Sequence, residues 1–175
     1  LTTELIDELY NIPKVLPYFD IPFQHVSDRM LQLMNRHTDS KHLKKLIQHI
    51  RGNFPDAAIR TTFIVGFPGE KKRDFDELIG FIEECPLDRV GAFMYSPEEG
   101  TAAAEMSPMV SKRVKQARLD QLMTLQQLII EERNKKLLGQ KTEVIIDEIN
   151  DTGALARTRY DAYEVDNTTF IANCK

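Results

Sequence analysis

Residues Arg60–Glu70 read Arg-Thr-Thr-Phe-Ile-Val-Gly-Phe-Pro-Gly-Glu, and this stretch decides the fold that the sequence predicts. Ile59–Val65 is rich in β-branched and aromatic residues, which suit a half-buried strand. Gly66 interrupts it, Pro68-Gly69 is a strong turn signal, and Asp74 is the predicted N-cap of a helix. Together these predict a βα unit, whose ligands gather at the carboxyl end of the strand. The pattern also fits a parallel strand that ends in an ordinary turn.

Side chains along this strand alternate between two faces. The face predicted to pack against helices carries Thr61, Phe63, Val65 and Phe67. The other face suits a polar barrel lumen and carries Arg60, Thr62, Ile64 and Gly66. Because an unpaired buried charge is costly, Arg60 would need an anion there. A ligand carboxylate and a protein Asp or Glu are both candidates.

Composition limits the class of protein. The 175 residues are 42% hydrophobic and 29% charged, which predicts a soluble globular domain with a small appendage. The net charge of −4 gives the chain no general attraction for nucleic acid. No apolar run approaches the roughly 20 residues that span a bilayer. The two cysteines, Cys85 and Cys174, match no metal motif and predict a reducing, cytoplasmic setting.

Two further βα units are predicted around the first. Their strands are expected at Val15–Phe23 and Arg89–Ser96, with Pro17 and Pro22 bounding a core of about four residues in the former. The order β-α-β-α-β-α predicts a parallel sheet, either an incomplete barrel or half of an open sheet. A long helix over Ser111–Leu138 follows, roughly 40 Å in length.

After Gly139 the residue pattern changes from helical to alternating strands with turns, which predicts a small antiparallel unit. Its strands are predicted at Thr142–Ile149, Ala154–Tyr160 and Thr169–Ala172. We therefore expect two domains, over residues 1–139 and 140–175. The ends at Leu1 and Lys175 lead us to expect a piece of a longer protein.

Three predicted strand ends converge on one rim. They carry Gln24-His25, the segment Gly66–Glu70, and Tyr95-Ser96 with Glu98-Glu99. His25 could serve as a general base, although a lone histidine at a strand end is more often structural. Glu98-Glu99 could be a carboxylate pair or a solvated loop. We find no catalytic triad, Walker loop or dinucleotide fingerprint.

Four segments resemble motifs of one family, the radical S-adenosylmethionine (SAM) methylthiotransferases. Tyr18–His25, Arg60–Glu70 and Asp88–Thr101 look like their fourth, fifth and sixth barrel strands. Arg159–Asp166 is similar to the opening of their TRAM domain, apart from Tyr163, where the family usually has Pro. The resemblance implies the second half of a TIM-like (β/α) barrel followed by the start of an oligonucleotide-binding-like antiparallel β-barrel.

Within that family, two segments of this chain resemble the RimO type, which acts on a small-subunit ribosomal protein. Gln24-His25 and Glu98–Thr101 differ from the segments usual in the tRNA-modifying MiaB type. Residues 141–175 contain four basic and seven acidic residues, a net charge of −3. An acidic surface would repel tRNA and suit a basic ribosomal protein.

The resemblance implies a reaction, cofactors and partners for the parent protein. The reaction is methylthiolation of an aspartate β-carbon, with SAM, two four-iron four-sulfur clusters and an electron donor. The cluster cysteines are not in this sequence, so the chain alone is expected to bind no cluster and to be inactive, with no catalytic residue of its own. The alternatives are a MiaB-type fragment and a non-catalytic protein-binding module.

The same resemblance implies a set of cofactor contacts. Ile64 and Gly66 would line the adenine, Gln24 or His25 would reach the ribose or methionine moiety, and Arg60 would contact an anion. The full expected set is Gln24, His25, Arg60, Thr62, Ile64, Gly66, Phe67 and Tyr95.

Overall fold

A computed structural model describes residues 1–85 and 87–172, so Cys174 lies outside the described residues. The helices are α1 (Thr3–Tyr10), α2 (Asp28–Leu33), α3 (Ser40–Asn53), α4 (Lys72–Glu84) and α5 (Lys112–Leu137). The strands are β1 (Tyr18–Asp20), β2 (Ala58–Val65), β3 (Arg89–Met94), β4 (Val144–Asn150), β5 (Gly153–Thr158) and β6 (Thr169–Ala172). A 3₁₀ turn covers Ala102–Glu105. Within this part of the chain no helix is long and apolar enough to cross a bilayer.

The first three strands form a parallel sheet in the order β1-β2-β3. Ile59 pairs with Phe19 on one side, and Thr61 pairs with Val90 on the other. Because all three strands run the same way, their carboxyl ends, here called the strand tips, lie at one edge of the sheet. The predicted α/β class and the shared edge are confirmed.

β1 is shorter than the predicted Val15–Phe23. Regular pairing covers Tyr18–Asp20, because Pro17 and Pro22 cannot donate to a ladder on either side. Beyond it, Gln24 makes an isolated parallel bridge with Phe63 and has a positive φ of 68°. A glutamine in the left-handed region ends the strand at its tip.

The helix-facing side of β2 forms the centre of the core. Its buried side chains are Ile59, Thr61, Phe63 and Val65. Helix residues that join the same cluster are Leu46, Ile50, Leu78, Ile82 and Leu122. On the opposite face Arg60, Thr62 and Ile64 are half-buried. The predicted division of β2 into two faces is therefore confirmed.

The predicted N-cap of α4 is wrong by one turn. Lys71, not Asp74, occupies the cap, and Asp74 is the third residue of the helix. The Asp74 carboxylate accepts the Lys71 N–H at 2.8 Å, which is the returning half of a capping box. An acidic residue can accept the free N–H groups at a helix start both from the N-cap and from the third helical position, so the sequence pattern did not distinguish these two positions.

Helix α5 runs the full height of the parallel sheet. Ser111 caps its start, and at 1.5 Å per residue its 26 residues extend about 39 Å. Near its start Lys115 Nζ donates to the Tyr95 carbonyl at the strand tips, at 2.7 Å. Near its end Arg133 forms an ion pair with Asp88, just before β3 begins. The helix therefore connects the two ends of the sheet.

The antiparallel sheet, in the order β4-β5-β6, attaches to the amino-terminal ends of the parallel strands. Arg89 Nη2 donates to Asp161 Oδ1 at 2.7 Å, and the Tyr18 hydroxyl donates to Asp166 Oδ2 at 2.5 Å. Both aspartates lie in the β5–β6 loop, with side chains only 6% and 4% exposed. Because Tyr18 and Arg89 begin their strands, the small sheet lies at the end opposite the tips.

Replacing Asp166 with Asn should lower the free energy of unfolding by about 2 kcal/mol. The Tyr18 hydroxyl and the Ala162 N–H would lose a charged acceptor, and Arg60 and Arg89 would lose a counter-charge. Urea denaturation followed by circular dichroism measures the change. Glu164→Gln, an exposed position in the same loop, is the control, and equal losses in both variants would contradict the prediction.

Candidate functional site

The strand tips bring together three of the segments predicted from sequence. Gln24 lies after β1, Gly66 after β2 and Tyr95 after β3. The Gln24 N–H donates to the Thr62 carbonyl at 2.9 Å, and the Tyr95 N–H donates to the Val65 carbonyl, also at 2.9 Å. Backbone bonds thus hold the three tips side by side.

The turn after β2 is built around Gly66 and Glu70. Gly66 has a φ of +72°, which a residue with a side chain adopts only under strain. The Glu70 carboxylate accepts the N–H groups of Gly66 and Phe67, the latter at 3.1 Å. One acidic side chain therefore fixes the direction of two successive amides at the tip.

The Glu70 carboxylate is fully buried, and its counter-charge comes from α5. Arg118 Nη1 lies 3.0 Å from Glu70 Oε1, an ion-pair contact without the alignment of a hydrogen bond. The Arg118 guanidinium also lies over the Phe75 ring, 5.5 Å from its centroid. Burial raises the pKa of Glu70, although Arg118 and the two amide donors oppose that shift.

Aromatic and basic side chains close the tip between β2 and β3. The Phe67 and Tyr95 rings meet edge to face, with centroids 5.1 Å apart. Lys115 Nζ lies 5.0 Å from the Tyr95 ring centroid. The Tyr95 hydroxyl is buried without a hydrogen-bond partner among the described residues. Phe67 and Tyr95 therefore form one wall at the tip.

The lumen face of the sheet is open beside this wall. Thr62 and Ile64 are half-buried there, and Gln24 is half-buried at the neighbouring tip. Neither the Gln24 amide nor the Thr62 hydroxyl makes a side-chain hydrogen bond within the described residues. Phe93 pairs in register with Ile64 and is 63% exposed. Sequence reasoning missed Phe93, which only the register with β2 places on this face. The surface offers apolar contact and free polar groups to a ligand.

His25 faces the helices, away from the lumen. Its side chain is completely buried, and Nδ1 accepts the N–H groups of Val26 and Ser27 at 2.9 and 3.0 Å. Burial lowers its pKa to about 4, against the opposing effect of Asp74. In this position the neutral imidazole stabilises the entry to α2, and the structure gives no support to the expected ligand contact. Gln24, the other member of this pair, is half-buried at the tip.

Arg60 lies about 20 Å from the Gly66 tip, six residues earlier on β2. Its guanidinium contacts Asp20 at 2.6 Å and Asp166 at 3.7 Å. The anion that the sequence left open is therefore a protein carboxylate. This position gives the expected cofactor contact of Arg60 no support.

A second polar network holds the β2 turn against α2. Arg29 donates to the Gly69 carbonyl at 2.7 Å and forms an ion pair with the buried carboxylate of Asp74. Burial alone would raise the pKa of Asp74, but bonds from Arg29, Lys71 and Ser27 lower it to about 2. Sequence reasoning missed Arg29 because its partners are 40 and 45 residues away.

The remaining candidates are placed outside the tips. Glu98 and Glu99 are exposed in the loop after β3, as in the solvated-loop interpretation. The Cys85 thiol is half-buried, and burial raises its pKa. Among the described residues no group of three His, Cys, Asp or Glu could hold a metal ion.

Comparison with known proteins identifies the family. The sequence profile of the Radical SAM superfamily matches residues 1–82, and that of the TRAM domain matches residues 138–175. The ribosomal protein uS12 methylthiotransferase RimO of Pseudothermotoga lettingae is 46% identical over 171 residues, or 98% of this chain. This chain belongs to the RimO family of radical SAM proteins. RimO of Cellvibrio japonicus is 49% identical over 158 residues, or 90% of the chain.

The RimO assignment confirms the family and type that the four motifs resemble. The chain covers only 40% and 35% of those two RimO relatives. A solved structure, coproporphyrinogen III oxidase (HemN) of Escherichia coli, a radical SAM enzyme, is similar with a TM-score of 0.62 and 18% identity. That match covers 74% of this chain and 30% of HemN, and it supports the barrel-type fold alone.

The buried imidazole makes stability depend on pH. Unfolded His25 takes up a proton near pH 6.5, whereas folded His25 does so only near pH 4, so acid favours the unfolded state. The free energy of unfolding should fall by up to about 3 kcal/mol across that window. In His25→Asn, whose Oδ1 can replace Nδ1 as acceptor, this component should vanish in urea titrations at a series of pH values. His37→Asn, at an exposed site, is the control, and an unchanged pH profile in His25→Asn would disprove the assignment.

Proposed function

We propose that this chain is part of an enzyme that methylthiolates the β-carbon of an aspartate in ribosomal protein uS12. Similarity to RimO proteins across 98% of the chain carries the proposal, because their name states ribosomal protein uS12 as the substrate. The aspartate β-carbon is what the family resemblance implies. Residues 1–139 would supply half of the SAM-binding barrel, and residues 140–175 would begin the TRAM domain. The parent enzyme would work in the cytoplasm, where ribosomal proteins are made, and would receive electrons from a donor.

The lumen face at the strand tips suits S-adenosylmethionine. Gln24 and Thr62 present polar groups with no partner of their own among the described residues, and Ile64 adds apolar surface. These three residues, with the Gly66 backbone, would hold the adenosyl group. When bound beside a reduced iron–sulfur cluster, SAM supplies a 5′-deoxyadenosyl radical. The wall of Phe67 and Tyr95 would exclude water from that side of the ligand.

The clusters themselves would come from the rest of the parent. The sequence has two cysteines, too few for the three thiolates of a CxxxCxxC motif, and the described one, Cys85, is half-buried. We therefore propose that this chain alone is inactive and holds no cluster. A stable iron–sulfur absorbance after iron and sulfide are added to the 175-residue chain would contradict this.

The cofactor assignment predicts weaker binding when Gln24 is truncated. In the full-length protein, Gln24→Ala should raise the dissociation constant of S-adenosylhomocysteine, a stable analogue, about tenfold through one lost hydrogen bond. Isothermal titration calorimetry measures it. Gln32→Ala, at an exposed position on α2, is the matched control. Equal affinity of the two variants would remove Gln24 from the site.

The acidic TRAM segment, residues 140–175, suits a basic protein partner. Some of its acidic side chains, however, are bound within the protein and are not available to a partner. Asp161 and Asp166 bind the parallel sheet, and Asp147 pairs with Arg157. The exposed acids without such partners in the described residues are Glu143, Glu148, Asp151 and Glu164. The exposed bases of the described segment are Lys141 and Arg159. The surface left for a partner is still net negative, which supports a ribosomal protein over tRNA.

In binding titrations at moderate salt, the full-length protein should prefer uS12 to a tRNA anticodon stem-loop. Glu148→Lys should weaken uS12 binding about threefold and reduce its salt dependence, because one attractive charge is reversed. Glu83→Lys, an exposed position on α4, makes the same charge change away from the TRAM segment. Tighter binding of the tRNA stem-loop would favour the MiaB-type alternative.

A further inference from the structure

Two basic residues at the start of α5 contact the turn after β2. Lys115 and Arg118 are three residues apart, so they lie on the same face of the helix. Both are half-buried, and the Arg118 side chain is only 11% exposed. Basic side chains are seldom covered to this degree without a partner, and each has its partner at the strand tips.

Arg118 acts on the turn through Glu70. One oxygen of the Glu70 carboxylate accepts hydrogen bonds from the N–H groups of Gly66 and Phe67, and the other oxygen faces Arg118. Arg118 also lies 3.4 Å from the Glu70 carbonyl. Without the guanidinium, the buried carboxylate would be uncompensated and would either take up a proton or move toward water. Protonation would weaken the two amide hydrogen bonds, and movement toward water would break them.

Lys115 contacts the strand tips with both its methylene chain and its ammonium group. Its methylene groups fill the space beside Gly66, where any Cβ would collide with Lys115 Cγ. Its ammonium group donates to the Tyr95 carbonyl at 2.7 Å. One side chain thus packs against the tip of β2 and hydrogen-bonds the tip of β3. The close approach requires a glycine at position 66 in addition to the positive φ.

We propose that Arg118 and Lys115 are positioning residues for the adenosyl site: from α5 they fix the turn that borders the ligand without touching the ligand. This inference rests on the proposed function for the identity of the ligand. The arrangement of the turn itself does not depend on it. The barrel strands place the tips at one edge, and α5 sets the backbone conformation of the turn between them.

The test compares Arg118→Met with Arg118→Lys, which keeps the cation. In this chain, hydrogen exchange of the Gly66 and Phe67 amides, followed by NMR, should accelerate at least about tenfold in Arg118→Met. The Ile59 amide, in the middle of the core, should be unaffected. Arg118→Lys should restore most of the protection, and Arg113→Met, at an exposed site on the same helix, should match the wild type.

A second measurement uses the full-length protein and S-adenosylhomocysteine. Arg118→Met should raise its dissociation constant about tenfold, with partial recovery in Arg118→Lys. If Arg118→Met does not fold, Lys115→Met keeps the stem, removes the bond to Tyr95 and should weaken binding by itself. Exchange rates and affinities equal to those of Arg113→Met would overturn the inference. If the wild-type protein fails to bind the analogue, the proposed function is wrong, and amide exchange alone decides the positioning role.

Discussion

The parallel pairing of β2 with a neighbour on each side is the constraint on which the rest of the structure depends. It brings three carboxyl ends to one edge, so that residues from three separate segments form one surface. It also forces each connection to cross the sheet, which places the helices on one face and buries Ile59, Phe63 and Val65 beneath them. The other face stays open and carries both polar and apolar side chains, and that asymmetry makes it the candidate ligand surface.

Local patterns predicted the parts of the fold that depend on local physics. Alternation along β2 gave both faces correctly because its strand period is regular over eight residues. Proline chemistry anticipated that β1 would be short. The prediction that Asp74 is the N-cap was wrong because an acidic side chain can accept the first N–H groups of a helix from the N-cap or from the third helical position. His25 was assigned to the rim by its position at a strand end, but its side chain turned inward to bind the backbone of the following residues.

What the sequence could not predict are contacts between distant segments. Glu70 is neutralised by Arg118, 48 residues later, and Asp161 is bound by Arg89, 72 residues earlier. In each case a buried carboxylate meets an arginine from another element, and no spacing rule connects the two. Such pairs are costly to bury unless the geometry is good, so they specify how elements dock more than they add to stability. The same pairs decide which acids remain at the surface and which basic residues shape the turn.

Helix α5 begins at the strand tips and ends beside the amino-terminal edge, where the antiparallel sheet is attached. From Lys115 to Arg133 it rises about 27 Å. A partner that rests on the small sheet while offering one of its side chains to the tips must bridge a comparable distance, roughly eight residues of extended polypeptide. If the small sheet binds the partner and the tips receive its reacting side chain, as proposed, a peptide shorter than this could occupy only one of the two places at a time.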